Sequence, residues 1–174
     1  VVDDVEEFLG FHATDDVRAT VRWLVDNGYV FARYDGGSSG LSAFGSSFVY
    51  IGDAEVAVTV DKSQWYLDIS ATPGAASLQF DLLVAAFRGL PYWELFPINR
   101  SRDRPARLPE QLPPGVVWRD TLPQVLAWLA RTDAAEVAAA AKLAQNQRFA
   151  GTWPESQTAR KLTSAWRAQG MPLP

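Results

Sequence analysis

The hydrophobic pattern changes period as the chain proceeds, and each change predicts an element. Val17, Val21, Leu24 and Val25 recur at helical spacing. Thr14-Asp15-Asp16 before them supplies a capping oxygen and then carboxylates facing the positive end of a helix, and Asn27-Gly28 supplies a left-handed stop. A shorter helix is expected ahead of this one, over Asp3–Leu9. From Tyr29 the spacing shortens. Tyr29–Tyr34, Ser47–Ile51, Glu55–Val60 and Gln64–Ile69 are rich in aromatic and β-branched residues, with breaks at Asp35–Gly40, Gly52-Asp53 and Asp61–Ser63. Connections this short permit only antiparallel pairing, so the segments predict a meander of four strands, with Gly52 opening a hairpin turn. A sheet of this kind needs a cover on one face. Phe80, Leu83, Val84 and Phe87 share one helical face within Ser77–Gly89 and offer that cover, with Ser77 as cap and Gly89 as stop.

Proline then interrupts the pattern. Leu90–Asp120 holds Pro91, Pro97, Pro105, Pro109, Pro113 and Pro114, a density that cannot sustain a helix or an inner strand and predicts an extended connection. Helical spacing returns over Leu122–Arg131, with Thr121 as cap and Pro123 in the first turn. Asp133-Ala-Ala-Glu136 has the form of a capping box and opens an alanine-rich helix to about Phe149. A last helix is expected from Ser156 to Gln169-Gly170. The order of helix, sheet and helices predicts an α+β fold, a single domain over 1–174 with an antiparallel sheet of about four to six strands packed with helices and a helical C-terminal section. Its sheet-forming part covers about 1–90, the connection about 91–120 and the helical part about 121–174.

Composition narrows the chemistry. A chain of 174 residues should bury roughly 70% of its unfolded surface, so it can fold without a disulfide or metal. The absence of Cys removes disulfide scaffolds, iron–sulfur clusters and thiol nucleophiles, and the single His12 cannot build a histidine-rich metal centre alone. No cofactor is called for. No apolar stretch reaches the length of a membrane span, and the N-terminal Val-Val-Asp-Asp-Val-Glu-Glu places acid where a secretory signal carries positive charge. The first residue is not Met, so trimming or missing leading residues are expected, and the reading is of a soluble cytoplasmic protein. The net charge of −4 is unevenly spread. Residues 1–98 carry fourteen acidic and five basic side chains, a net −9, and the remainder carries +5. An acidic surface speeds association with a basic partner.

The motifs that could carry catalysis fail on context. Gly36-Gly37-Ser38-Ser39-Gly40 matches the G-x-S-x-G hydrolase elbow in letters, but a strand follows it instead of a helix, and the only His lies upstream. A loop explains it. His12 alone, beside a helix cap, fits a solvated or locally bonded position better than a general base. The adjacent pairs Asp3/Asp4, Glu6/Glu7 and Asp15/Asp16 point in different directions on a helix and make poor shared acid–base sites. The run Arg100–Arg107 holds four Arg but is broken by Asp103 and Pro105 in an acidic chain, which argues against nucleic-acid binding. The seven Trp residues suit binding hot spots or cores. Trp128 and Trp166 fall on apolar helix faces, whereas Trp65 and Tyr66 must face opposite sides of a sheet.

The acidic, Cys-free α+β pattern and the segment Val56-Ala-Val-Thr-Val-Asp-Lys-Ser-Gln-Trp-Tyr-Leu-Asp-Ile69 resemble the immunity proteins of bacterial polymorphic toxin systems, and among them the mycobacterial immunity factors for necrotizing NAD glycohydrolase toxins. The resemblance implies a non-enzymatic cytosolic antitoxin that forms a 1:1 complex with its cognate toxin and occludes the NAD site until export, with no membrane or nucleic-acid partner. The residues themselves are compatible with that task, because occlusion requires shape and steering and no catalytic group. Glycine-bearing loops on a rigid sheet approach another protein's cleft closely. The candidate contact residues are therefore Asp35, Gly36, Gly37, Ser38, Ser39 and Gly40, then Gly52 and Asp53, then Lys62, Ser63, Gln64 and Trp65. A secretion chaperone or adaptor that binds an extended segment is the competing reading, and an open sheet edge would favour it.

Overall fold

A computed structural model describes residues 2–36, 45–62, 64–96 and 118–174. They fall into two compact units. The first takes in the described residues of Val1–Phe80 and Val116–Arg131, the second those of Asp81–Gly115 and Thr132–Pro174. This sorting differs from a simple split into a sheet-forming and a helical part. The helix after the Pro-rich stretch belongs with the sheet, and the helix before it belongs with the C-terminal helices.

The first unit opens with α1 (Val2–His12) and α2 (Asp15–Asp26). Helix α1 runs past both ends of the predicted Asp3–Leu9. Thr14 caps α2, its hydroxyl accepting from Val17 N at 3.4 Å, and Gly28 at φ +84° ends it in the left-handed region. The Arg18 guanidinium donates to Gly10 O (3.2 Å) and Ala13 O (2.5 Å), so one side chain satisfies carbonyls left open at the end of α1.

Five antiparallel strands follow in the order β1 (Val30–Asp35), β2 (Ser46–Ile51), β3 (Glu55–Asp61), β4 (Gln64–Ser70) and β5 (Leu78–Gln79). The register sets Phe48, Val58 and Leu67 side by side, with Tyr50, Val56 and Ile69 in the next row. All six are buried, and they form the core face of the sheet. Phe8 of α1 packs on Phe48 with ring centroids 5.5 Å apart, so α1 itself helps cover that face. Burial pushes the Tyr50 phenol up to about 12, with the nearby Glu6 carboxylate adding to the shift. The predicted cap at Ser77 is not formed. Leu78 and Gln79 pair with Ile69 and Asp68 as β5, and the helix starts only at Phe80. The ladder hydrogen bonds available at the edge of β4 win over an early helix start.

Helix α5 (Trp118–Leu129) completes the first unit and packs on α2. It begins before the predicted start at Leu122. Thr121 is therefore a buried interior residue and no cap, and Pro123 lies beyond the first turn. At that depth its missing N–H leaves a carbonyl one turn earlier without its helical donor.

The second unit contains α3 (Phe80–Arg88, from Asp81 onward), α4 (Tyr92–Leu95), α6 (Ala134–Thr152) and α7 (Gln157–Ala168). Leu82, Leu83, Val84 and Ala85 are all buried, so α3 is apolar around more than one face. Asp133 caps α6 by accepting from Ala135 N (2.8 Å) and Glu136 N (3.3 Å), and Ser156 caps α7 through Ala159 N (3.1 Å). Ala150 and Ala159 keep α6 and α7 close, with Trp166 against them and Trp93, Leu162 and Met171 around it. The Pro-rich stretch is helical over α4 despite its composition, because Pro91 stands ahead of the helix, where no N–H is needed. Residues 97–117 of that stretch, including Arg100–Arg107, lie outside the described residues.

Candidate functional site

The meander sorts the sequence-predicted contact residues by which end of the sheet they occupy. Asp35 lies at the end of β1, opposite Ser47 and, through it, Thr59 and Tyr66. Asp61 pairs with Gln64 across the β3–β4 turn at that same end. Asp35, Gly36, Lys62, Gln64 and Trp65 therefore share one end. Gly52 and Asp53 lie at the other, in a three-residue loop with Ala54 that joins paired Ile51 and Glu55. Gly37, Ser38, Ser39, Gly40 and Ser63 lie outside the described residues.

Local chemistry separates candidates free to touch a partner from those committed to packing. Lys62 is exposed and adopts φ +50°, a left-handed backbone that costs a lysine roughly 1–2 kcal/mol. Asp35 is exposed but accepts from Arg33 Nε at 3.0 Å. Gly36 is exposed, and a side chain there would run into the phenol ring of Tyr34. Trp65 stacks over Phe48 at 6.4 Å and so serves the core face, while Tyr66 on the opposite face donates its hydroxyl to Gln64 Oε1 at 2.6 Å. Gly52 fits beneath the Tyr29 ring, where an added Cβ would come within 2.9 Å. Its smallness serves packing. Asp53 beside it is exposed.

The face of the sheet opposite the core carries groups that sequence reasoning missed. Arg33 Nη2 reaches Glu55 Oε1 at 2.8 Å while its Nε holds Asp35, so the guanidinium spans from β1 across β2 to β3. Val49, paired with Arg33, is 1% exposed there. The hydrogen bond from Arg33 lowers the Glu55 pKa, and Gly74 N, donating to Glu55 Oε2 at 3.3 Å, acts in the same direction. Ser47 and Thr59 hydrogen-bond across β2 and β3 at 2.9 Å. The signal for this face was alternation. Once Val56, Val58 and Val60 face the core, Glu55, Ala57 and Thr59 must face away.

In the second unit Asp81, Tyr92 and Arg148 meet from α3, α4 and α6. Tyr92 donates to Asp81 Oδ2 at 2.7 Å, and Arg148 Nη1 reaches the same oxygen at 3.1 Å. Gln147 Oε1 accepts from Tyr92 N at 3.0 Å. Burial first, then the Asp81 charge, raises the Tyr92 phenol far above its usual range. This arrangement ties three helices together. Among the described residues no group of three His, Asp or Glu side chains is placed to hold a metal ion, and no helix is long and apolar enough to cross a membrane.

The molecule is thus an α+β protein whose antiparallel meander displays turns at two opposite ends. No match to the chain was found among protein-family models, curated proteins or solved structures.

Proposed function

We propose that this chain is a non-enzymatic immunity protein that binds a cognate exported toxin in the cytosol and blocks its active site, the NAD site of an NAD glycohydrolase. One observation carries the reading: the hydrogen-bonded meander brings Asp35-Gly36 at the end of β1 and Asp61-Lys62 at the end of β3 to a single end, on an acidic unit. Within the bounds of that unit, thirteen acidic and six basic side chains give a net −7, against +3 for the other. A rigid sheet presenting adjacent tips loses little entropy on docking into a cleft, and net negative charge steers a basic partner. The exposed pair Asp61-Lys62 leads this end.

The test is NAD hydrolysis by a mycobacterial necrotizing NAD glycohydrolase, with and without one equivalent of the purified chain. Stoichiometric loss of activity with a 1:1 complex on size exclusion supports inhibition by occlusion. Full activity and separate elution at micromolar concentration reject it. The second reading, a secretion chaperone or adaptor that takes an extended segment, draws its support from the outer edge of β1.

A further inference from the structure

β1 ends the sheet, and the register leaves its outer edge without a strand partner among the described residues. Val30 is 67% exposed, and Ala32, Arg33 and Asp35 are exposed too. In an antiparallel pair alternate residues turn N–H and C=O away from their neighbour, so such an edge can accept another strand. Two features blunt it against indiscriminate pairing. The register passes from Phe31↔Tyr50 to Arg33↔Val49, leaving Ala32 as a bulge, and the strand carries charge on its solvent face.

The charges around the edge select what can pair with it. Exposed Asp26 precedes β1 at the end of α2, and exposed Asp53 sits in the loop after Ile51, the partner of Val30. Asp35 closes the other end of the strand. Carboxylates therefore frame both ends, and the one cation on β1, Arg33, is already engaged by Asp35 and Glu55. A second copy paired antiparallel and centred on this edge would set Asp35 of each copy opposite Val30 of the other, at the end where Asp26 and Asp53 also lie. Like charges in such positions are destabilising. An extended segment bearing Lys or Arg meets no such conflict. We infer that the outer edge of β1 takes up an extended, basic segment of the toxin as a sixth strand, placing main-chain hydrogen bonds beside the occluding tips. The inference rests on the immunity reading and specifies how the partner is held.

Hydrogen exchange of the full chain, alone and with one equivalent of the necrotizing NAD glycohydrolase, tests it. The expected result is inhibition together with slowing of amide exchange within Val30–Asp35 by about tenfold or more. D26K/D53K, changed only at exposed positions, should raise the Kd about tenfold at low salt and much less at high salt. Inhibition with unchanged exchange in β1 overturns the edge docking while the immunity reading stands. A dimer of this chain with protected β1 amides, formed without toxin, overturns it in favour of self-pairing. Neither complex nor inhibition rejects the immunity reading, and the docking with it.

Discussion

At the residue scale, two glycines with opposite surroundings make a matched test of packing. A Cβ on Gly52 would press on the Tyr29 ring at 2.9 Å, whereas one on Gly10, inside α1, meets nothing within 4 Å. Gly52→Ala should destabilise the fold by about 1–3 kcal/mol through overpacking, and Gly10→Ala should stabilise it by about 0.5–1 kcal/mol through helix propensity. Urea unfolding followed by circular dichroism reads both. An unaffected midpoint for Gly52→Ala would mean that Tyr29 swings aside freely. Tyr50 gives a second test. Its phenol titrates near 12 in the fold, so the stability it supplies is complete below the unfolded value of about 10 and disappears as pH rises through the folded one. Thermal melts between pH 9 and 12 should fall less steeply for Tyr50→Phe than for the parent chain.

At the element scale, the contact of α3, α4 and α6 depends on one carboxylate serving two donors. Asp81→Ala leaves the half-buried Arg148 without this partner and should cost roughly 3 kcal/mol. Tyr92→Phe removes one neutral donor while Asp81 keeps Arg148, and should cost about 1 kcal/mol. Chemical denaturation of the two variants and their double mutant checks the ordering. Equal losses would show that the hydroxyl, and not the ion pair, fastens the helices. On the sheet, Arg33 fastens β1 to β3 across β2, which changes how charge reversals are to be chosen. Replacing Asp35 or Glu55 by Lys breaks an ion pair within the fold as well as altering the field, so neither isolates steering.

At the scale of the whole molecule, Asp53 and Asp61 are the cleaner probes, because they are exposed and lie at opposite ends of the meander. Asp53→Lys and Asp61→Lys should each lower the association rate with a basic toxin several-fold at low salt, an effect that high salt removes. Both should also hasten dissociation, because Asp61 lies at the end proposed to touch the toxin and Asp53 frames the β1 edge proposed to hold its segment. Stopped-flow association and surface dissociation rates separate the two effects. A dissociation change at Asp53 alone would confine the contact to the β1 edge and exclude the Asp61 end.

The elements were legible in the sequence because their signals are local. Thr14, Asp133 and Ser156 cap α2, α6 and α7 as expected, and Gly28, Gly89 and Gly170 stop α2, α3 and α7 at positive φ. Short connections fixed an antiparallel meander. What depended on partners distant in the chain was not legible. Leu78-Gln79 became a strand because β4 offered a ladder, and Thr121 passed from cap to helix interior because α5 starts earlier against α2. Trp65 and Tyr66 were known to diverge, yet the side each took was set by Phe48 beneath one ring and Gln64 beside the other. Propensity, capping and period act within a few residues and are written in the chain. Which edge stays open, which charge finds a partner and which tips converge follow from register, which exists only once strands pair.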